Sequence, residues 1–223
     1  SVASDMTTTM PAIDANHTIS VDPGERETAA RAPLDQTAAA AVPKQQSWFE
    51  RPNDPYLQNP NTYDYQWMHD AVNTYEAWGV TTGNSSVKVA VIDTGVLPSH
   101  EELSGRVTTI NMTDVTGESN DDTDGHGTHV AGIIAASSAN GKGGAGIAPG
   151  VSILALAALP GGYGNDAWVA MAVGRAVDNG ADIINMSLGN YYYNSTLNAA
   201  IQSAISHNVS VIAAMGNDGS NSL

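Results

Sequence analysis

Two short segments hold residue types that can perform acid–base chemistry together. Asp93 sits in Val91-Ile92-Asp93-Thr94-Gly95, and His126 in Asp124-Gly125-His126-Gly127-Thr128-His129-Val130-Ala131-Gly132. A carboxylate beside an imidazole fixes its tautomer and supports the cation formed when the ring takes a proton, so the pair can serve as a general base. A nucleophile would complete the set, and none is convincing up to Leu223. Ser220 and Ser222 lie in the polar run Asp218-Gly219-Ser220-Asn221-Ser222, only three and five residues beyond Asn217.

Groups so far apart in the chain need a scaffold that brings them together. Beyond residue 85, near-continuous apolar runs alternate with segments of helical period, the pattern of strands covered on both faces. Strands are predicted at Val87 to Ile92, Val151 to Leu159, Ala181 to Met186 and Val209 to Met215. Helices are predicted from His126 to about Ala136, from an Asn165 or Asp166 cap to Gly180, and from a Ser195 cap to near Asn208. Four strands joined by helical crossovers make an α/β fold, a doubly wound parallel sheet flanked by helices. Active groups of such sheets gather at the carboxyl ends of the strands. Asp93, His126, Ser187 to Asn190 and Gly216 to Gly219 all fall on that rim.

Composition narrows the partners. Eight Lys+Arg against 23 Asp+Glu give a net charge of -15, which repels nucleic acid and anionic membrane surfaces and favours cations and cationic peptides. The absence of cysteine excludes disulfides and thiolate metal sites without deciding the compartment. No apolar run approaches the roughly 18 residues of a membrane span. Residues 1–46 are rich in Thr, Ala and Pro and lack aromatics, so they read as a tail or linker, or as the remnant of a pro-segment. Residues 47–223 form the domain. It opens with an aromatic arm (Trp48 to Trp78) packed over the sheet and ending in a short helix near His69 to Trp78.

From about residue 50 onward the chain resembles the subtilase family of subtilisin-like serine peptidases. The resemblance rests on the Asp93 and His126 segments in that order, on Ile184-Asn185-Met186-Ser187-Leu188-Gly189 and on Ala213-Ala214-Met215-Gly216-Asn217. It implies that Asp93 orients His126, that His126 shuttles the serine proton, and that Asn217 donates its side-chain amide to the tetrahedral oxyanion. It implies that Ser187, Leu188 and Gly189 form one backbone strand beside the substrate, with Gly162, Tyr163 and Gly164 facing it. Peptide binding is then strand addition. The match covers the N-terminal part of the family's domain, incomplete at the C-terminal side, so the implied partner is a C-terminal fragment of the same peptidase carrying the serine. The resemblance also implies a secreted or cell-surface protein. The competing expectation is a noncatalytic half that binds peptides or assembles with another chain.

Several residues keep two readings. Asp218 shapes the P1 pocket or is a surface turn, and Asp124 attracts a basic P2 side chain or is a solvated carboxylate. Gly141-Lys142-Gly143-Gly144-Ala145-Gly146 matches the spacing of a dinucleotide loop but follows a helix and leads into a strand, the wrong context for phosphate. In the family such a loop holds calcium, which here implies Asn140 and Glu102 as ligands, although Glu replaces the usual Asp. The acidic run Asp114, Glu118, Asp121, Asp122 and Asp124 is a second calcium site or a solvated loop. His129, His100, His69, His17 and His207 read as packed structural histidines.

Overall fold

The structure is a computed structural model of the 223-residue chain and describes residues 18–20, 51–58 and 66–217. Its centre is a parallel five-stranded sheet. In chain order the elements are β1 (Thr18–Ser20), α1 (Met68–Ala71), α2 (Thr74–Trp78), β2 (Lys88–Asp93), β3 (Val107–Thr109), α3 (Thr113–Thr116) and α4 (His126–Ala135). Then come β4 (Ser152–Ala157), β5 (Tyr163–Asn165), α5 (Asp166–Asp178), β6 (Ile183–Met186), α6 (Ser195–Ser206) and β7 (Ser210–Ala213). The strand order is β3-β4-β2-β6-β7, with every pairing parallel. The chain leaves β2 toward one edge and later crosses back over it, so the order reverses at β2. Asp93 is the last residue of that strand.

The apolar runs are explained by two covered faces. Ala90 and Ile92 of β2 point into one core with Leu154, Leu156, Ile184 and the inner faces of α5 and α6, among them Val169, Val173, Ala200 and Ala204. Val89 and Val91 point into the other, with Ile153, Ala155 and the small-residue face of α4. Each large aliphatic buried this way contributes about 1.5–3 kcal/mol relative to exposure.

Several expectations need correction. The sheet has five strands rather than four, because β3, a short edge strand with two exposed threonines, carries no apolar run. The arm ends in two short helices, since Asn73 between them takes a left-handed conformation with φ 55°. Asn194 caps α6 in place of Ser195, its Oδ1 accepting from the Thr196 and Leu197 amides. Asn165 caps α5 through the Trp168 amide, and Gly180 ends that helix region with φ 74°. Within residues 1–46, β1 pairs antiparallel with β5. Trp48 and Phe49 lie outside the described residues.

The arm is stitched to the glycine loop between α4 and β4. Asp54, fully buried, accepts from the amides of Ala139 (2.7 Å) and Asn140 (3.0 Å), and Asn53 accepts from that of Gly141. The Tyr56 amide donates to the Gly143 carbonyl. Gln66 bonds both the amide and the carbonyl of Ala145, His69 Nε2 also reaches that carbonyl, and Trp78 Nε1 donates to the Ile147 carbonyl. Turns that are poor in side chains thereby obtain partners for their buried backbone groups.

Candidate active site

Strand β2 delivers Asp93 fully buried at its carboxyl end, and α4 opens on His126, whose side chain is 8% exposed. The two meet: His126 Nδ1 lies 2.7 Å from Asp93 Oδ1. A carboxylate only accepts, so Nδ1 carries the proton and donates, which leaves the Nε2 lone pair as the basic one. The Thr94 amide donates to the same Oδ1 at 2.7 Å, while Asp93 Oδ2 is buried with no hydrogen-bond partner among the described residues.

The loop before α4 is also tied to β2. Thr94 Oγ1 accepts from the Gly127 amide and donates to Asp122 Oδ1. Asp122 in turn accepts from the amides of Asp124, Gly125 and Thr128 and from the Thr128 hydroxyl. Thr94 and Thr128 carried no functional expectation from the sequence, and Asp122 only that of one carboxylate in a candidate calcium site or solvated loop. A signal was present: glycine at position 125, the helix cap, offers no side chain to the helix amides, so a nearby acceptor must supply one.

The remaining rim segments leave the carboxyl ends of β4, β6 and β7. Beyond β6, Ser187 Oγ accepts from Asn185 Nδ2, Leu188 is buried and Gly189 is exposed. Gly162, Tyr163 and Gly164 precede α5; Tyr163 is exposed, and a Cβ on Gly164 would stand 2.5 Å from the Ala158 carbonyl oxygen. The Asp93 carbonyl accepts from the amides of Ala158 and Leu159, which anchors this segment to the acid's own residue. Asp166 at the start of α5 accepts from Asn190 and Asn194, tying it to the loop after β6. A cleft of about 580 Å³ lies beside β5, lined by Glu118, Asp121, Pro160, Tyr163, Asn165 and Trp168. Asn217 stands exposed beyond β7 on the same rim, and Asp218 lies outside the described residues.

Glu102 and Asn140 come together, with Asn140 Nδ2 donating to Glu102 Oε2 at 2.9 Å. Glu102 Oε1 is buried without a hydrogen-bond partner among the described residues, and Gly143 sits against it, where a Cβ would approach to 3.2 Å. Arg106 braces the Glu102 carbonyl, and burial lowers its guanidinium pKa against the opposing pull of Glu102. The acidic run does not gather around one point: Asp114 pairs with Arg175, whose guanidinium holds its carboxyl below the usual carboxylate range, and Asp122 faces the α4 amides. Among the described residues no group of three or more His, Asp or Glu could hold a metal. The histidines also need correction. His69 is buried against Tyr75 and Trp78, but His129, His100 and His207 are exposed, and His17 lies outside the described residues. His129 falls on the solvent side of α4 because the face toward the sheet is taken by Gly127, Val130, Ala131 and Ala135.

A sequence model of the Subtilase family matches residues 84–223. The chain is 43% identical to a thermophilic serine proteinase of Bacillus sp. (strain AK1) over 172 residues, covering 76% of this chain and 41% of that protein. It is 40% identical to thermitase of Thermoactinomyces vulgaris over 174 residues, 75% of this chain and 58% of that protein. It is 37% identical to the major intracellular serine protease of Bacillus subtilis (strain 168), covering 74% of this chain and 54% of that protein. The chain therefore spans about half the length of these relatives.

Proposed function

The chain belongs to the subtilase family, and from that premise we propose that it is the acid–base half of a serine endopeptidase whose serine lies outside these 223 residues. The carrying observation is the 2.7 Å contact between His126 Nδ1 and Asp93 Oδ1 at the point where the sheet reverses order. His126 Nε2 takes the proton of the serine hydroxyl as its oxygen bonds to the peptide carbonyl carbon. Asp93 steadies the resulting imidazolium, and the Asn217 amide donates to the oxyanion. The same proton passes to the departing amine as the C–N bond breaks, and a water activated by Nε2 then releases the acyl group.

The edges of this half support a complement. Strand β7 is a sheet edge, and Ile212, Met215 and Ile205 of α6 are 55%, 81% and 50% exposed, unlike the buried aliphatics of β2. A C-terminal fragment, or the continuation of the same chain, would cover that surface and bring the serine to the rim. Substrate would lie as an added strand between Gly162 to Gly164 and Ser187 to Gly189. Pairing of β1 with β5 supports this, because it puts an extended segment antiparallel on one of those two strands. Asp218 would shape the neighbouring side-chain pocket.

A structural calcium ion belongs to the same proposal. Glu102 Oε1, the Asn140 side-chain oxygen and main-chain carbonyls of the glycine loop are hard donors suited to it. Its contribution would be stability, read as a rise in melting temperature on adding calcium that Glu102→Gln removes. Among the described residues no helix is long and apolar enough to cross a membrane. Action outside the cell rests on the family alone, and one relative is named as intracellular, so fractionation of the native host decides it.

The test labels the complete protein with a serine-directed fluorophosphonate. Labelling of one serine outside residues 1–223, lost in His126→Ala and strongly slowed in Asp93→Asn, supports the proposal. No label, with peptide binding retained, would favour the noncatalytic binding module.

A further inference from the structure

We propose that Asp122 is a positioning residue for the Asp93–His126 pair, clamping the strand that carries the acid to the helix that carries the base. Its effect on turnover rests on the peptidase reading; its effect on the pair does not.

Helix α4 begins at a glycine cap, Gly125 at φ 97°, which leaves its first amides without a capping side chain. Asp122 fills that role from three residues upstream. Its Oδ1 accepts from the Gly125 amide (2.8 Å) and the Asp124 amide (3.1 Å), and its Oδ2 accepts from the Thr128 amide (2.9 Å) and hydroxyl (2.5 Å). A capping role alone would end there. Oδ1 also accepts from Thr94 Oγ1 at 2.8 Å, and Thr94 follows Asp93 directly. The Thr94 amide donates to Asp93 Oδ1, and its hydroxyl accepts from the Gly127 amide at 2.9 Å. One carboxylate thus grips the residue after the acid and, through Gly125 and Thr128, both sides of the base, while Thr94 itself holds Gly127.

The chemistry requires Asp at this position. All five partners are donors converging on two oxygens, and bonds to an ionised acceptor are stronger than neutral ones. The negative charge also lies at the favourable end of the helix dipole. An amide in its place would turn an NH2 group toward N–H or O–H donors on one side. The clamp would open there, and Asp93 and His126 would be joined only by their own contact and the main chain.

The experiment follows the His126 Nδ1 proton by NMR in the complete protein with 15N-labelled histidine, together with kcat and KM. The native pair should give a low-field, slowly exchanging Nδ1–H signal. In Asp122→Asn that signal should be lost or exchange with water, and kcat should fall about a hundredfold with KM within about twofold, the cost expected of a displacement near 1 Å. Should Asp122→Asn fail to fold by circular dichroism, Thr94→Val carries the test, with the same losses expected and Thr94→Ser recovering them. A folded Asp122→Asn or Thr94→Val with a lower melting temperature but native Nδ1–H signal and kcat would reduce Asp122 to a helix cap and overturn the proposal. Loss of the signal in a protein with no peptidase activity in any form would uphold the clamp and remove the peptidase reading.

Discussion

Gly127 lies so close to Gly95 that a Cβ added to it would stand 2.0 Å from the Gly95 carbonyl oxygen and 3.1 Å from the Asp93 side chain. The start of α4 is therefore pressed directly on the loop leaving β2, and this approach is what allows a 2.7 Å contact between groups from two elements. Gly127→Ala must push the helix away. The expected outcome is loss of the Asp93–His126 contact and at least a hundredfold lower kcat, with little change in helix content by circular dichroism. Native activity in that variant would show that the helix can shift without cost to the pair.

Asp54 carries much of the bond between the arm and the glycine loop. The two oxygens of this fully buried side chain satisfy the Ala139 and Asn140 amides, and among the described residues no other bond of those amides is seen. Asp54→Ala would leave both donors unpaired, at about 1–3 kcal/mol for each. Denaturant unfolding should show a loss of up to about 6 kcal/mol, the sum for the two amides, and hydrogen exchange should speed up first across residues 139–146. Uniform exchange along the chain would contradict a local latch.

What was legible in the sequence follows from where the determinants lie. Strands β2, β4 and β6 were readable because residues of both parities, such as Val89 and Ala90, face a core and are apolar. Strand β3 was not, since its threonines face solvent at the sheet edge and its pairing with β4 is the only thing that defines it. The pair Asp93 and His126 was visible in two motifs, but Asp122 looked like one carboxylate among several. The glycine cap at 125 calls for some nearby acceptor without choosing among those carboxylates, and Thr94 is brought to Asp122 only by the fold. His129 failed for a related reason: Gly127, Val130, Ala131 and Ala135 take the buried face of α4, which leaves His129 to solvent.

The Asp114–Arg175 pair predicts a specific acid limb of stability. Two hydrogen bonds, at 2.8 and 2.7 Å, join the guanidinium of α5 to the carboxylate of α3 and lower the pKa of Asp114. A carboxyl with a depressed folded pKa binds fewer protons folded than unfolded over that interval. Its stabilisation is present above the unfolded value, near 3.9, and disappears as pH falls through the lower folded value. Asp114→Asn should therefore flatten part of the stability loss below about pH 4, with the difference from native largest near neutrality. Denaturation midpoints across that range check it; parallel curves for the two proteins would assign no role to the pair.

Strand β1 pairs antiparallel with β5, with Thr18 on Asn165, Ile19 on Gly164 and Ser20 on Tyr163. On the proposed function, that is the edge of β5 to which a peptide substrate would add. An intramolecular strand and a substrate cannot both hold that edge, so the apparent KM rises in inverse proportion to the fraction in which the edge is free. Removing residues 1–46 should lower KM severalfold in the complete enzyme and leave kcat unchanged, because the Asp93–His126 pair is untouched. Ile19→Pro, which removes a backbone donor and disfavours strand pairing, should do the same in the intact chain. A KM indifferent to both changes would mean that β1 and substrate use different edges.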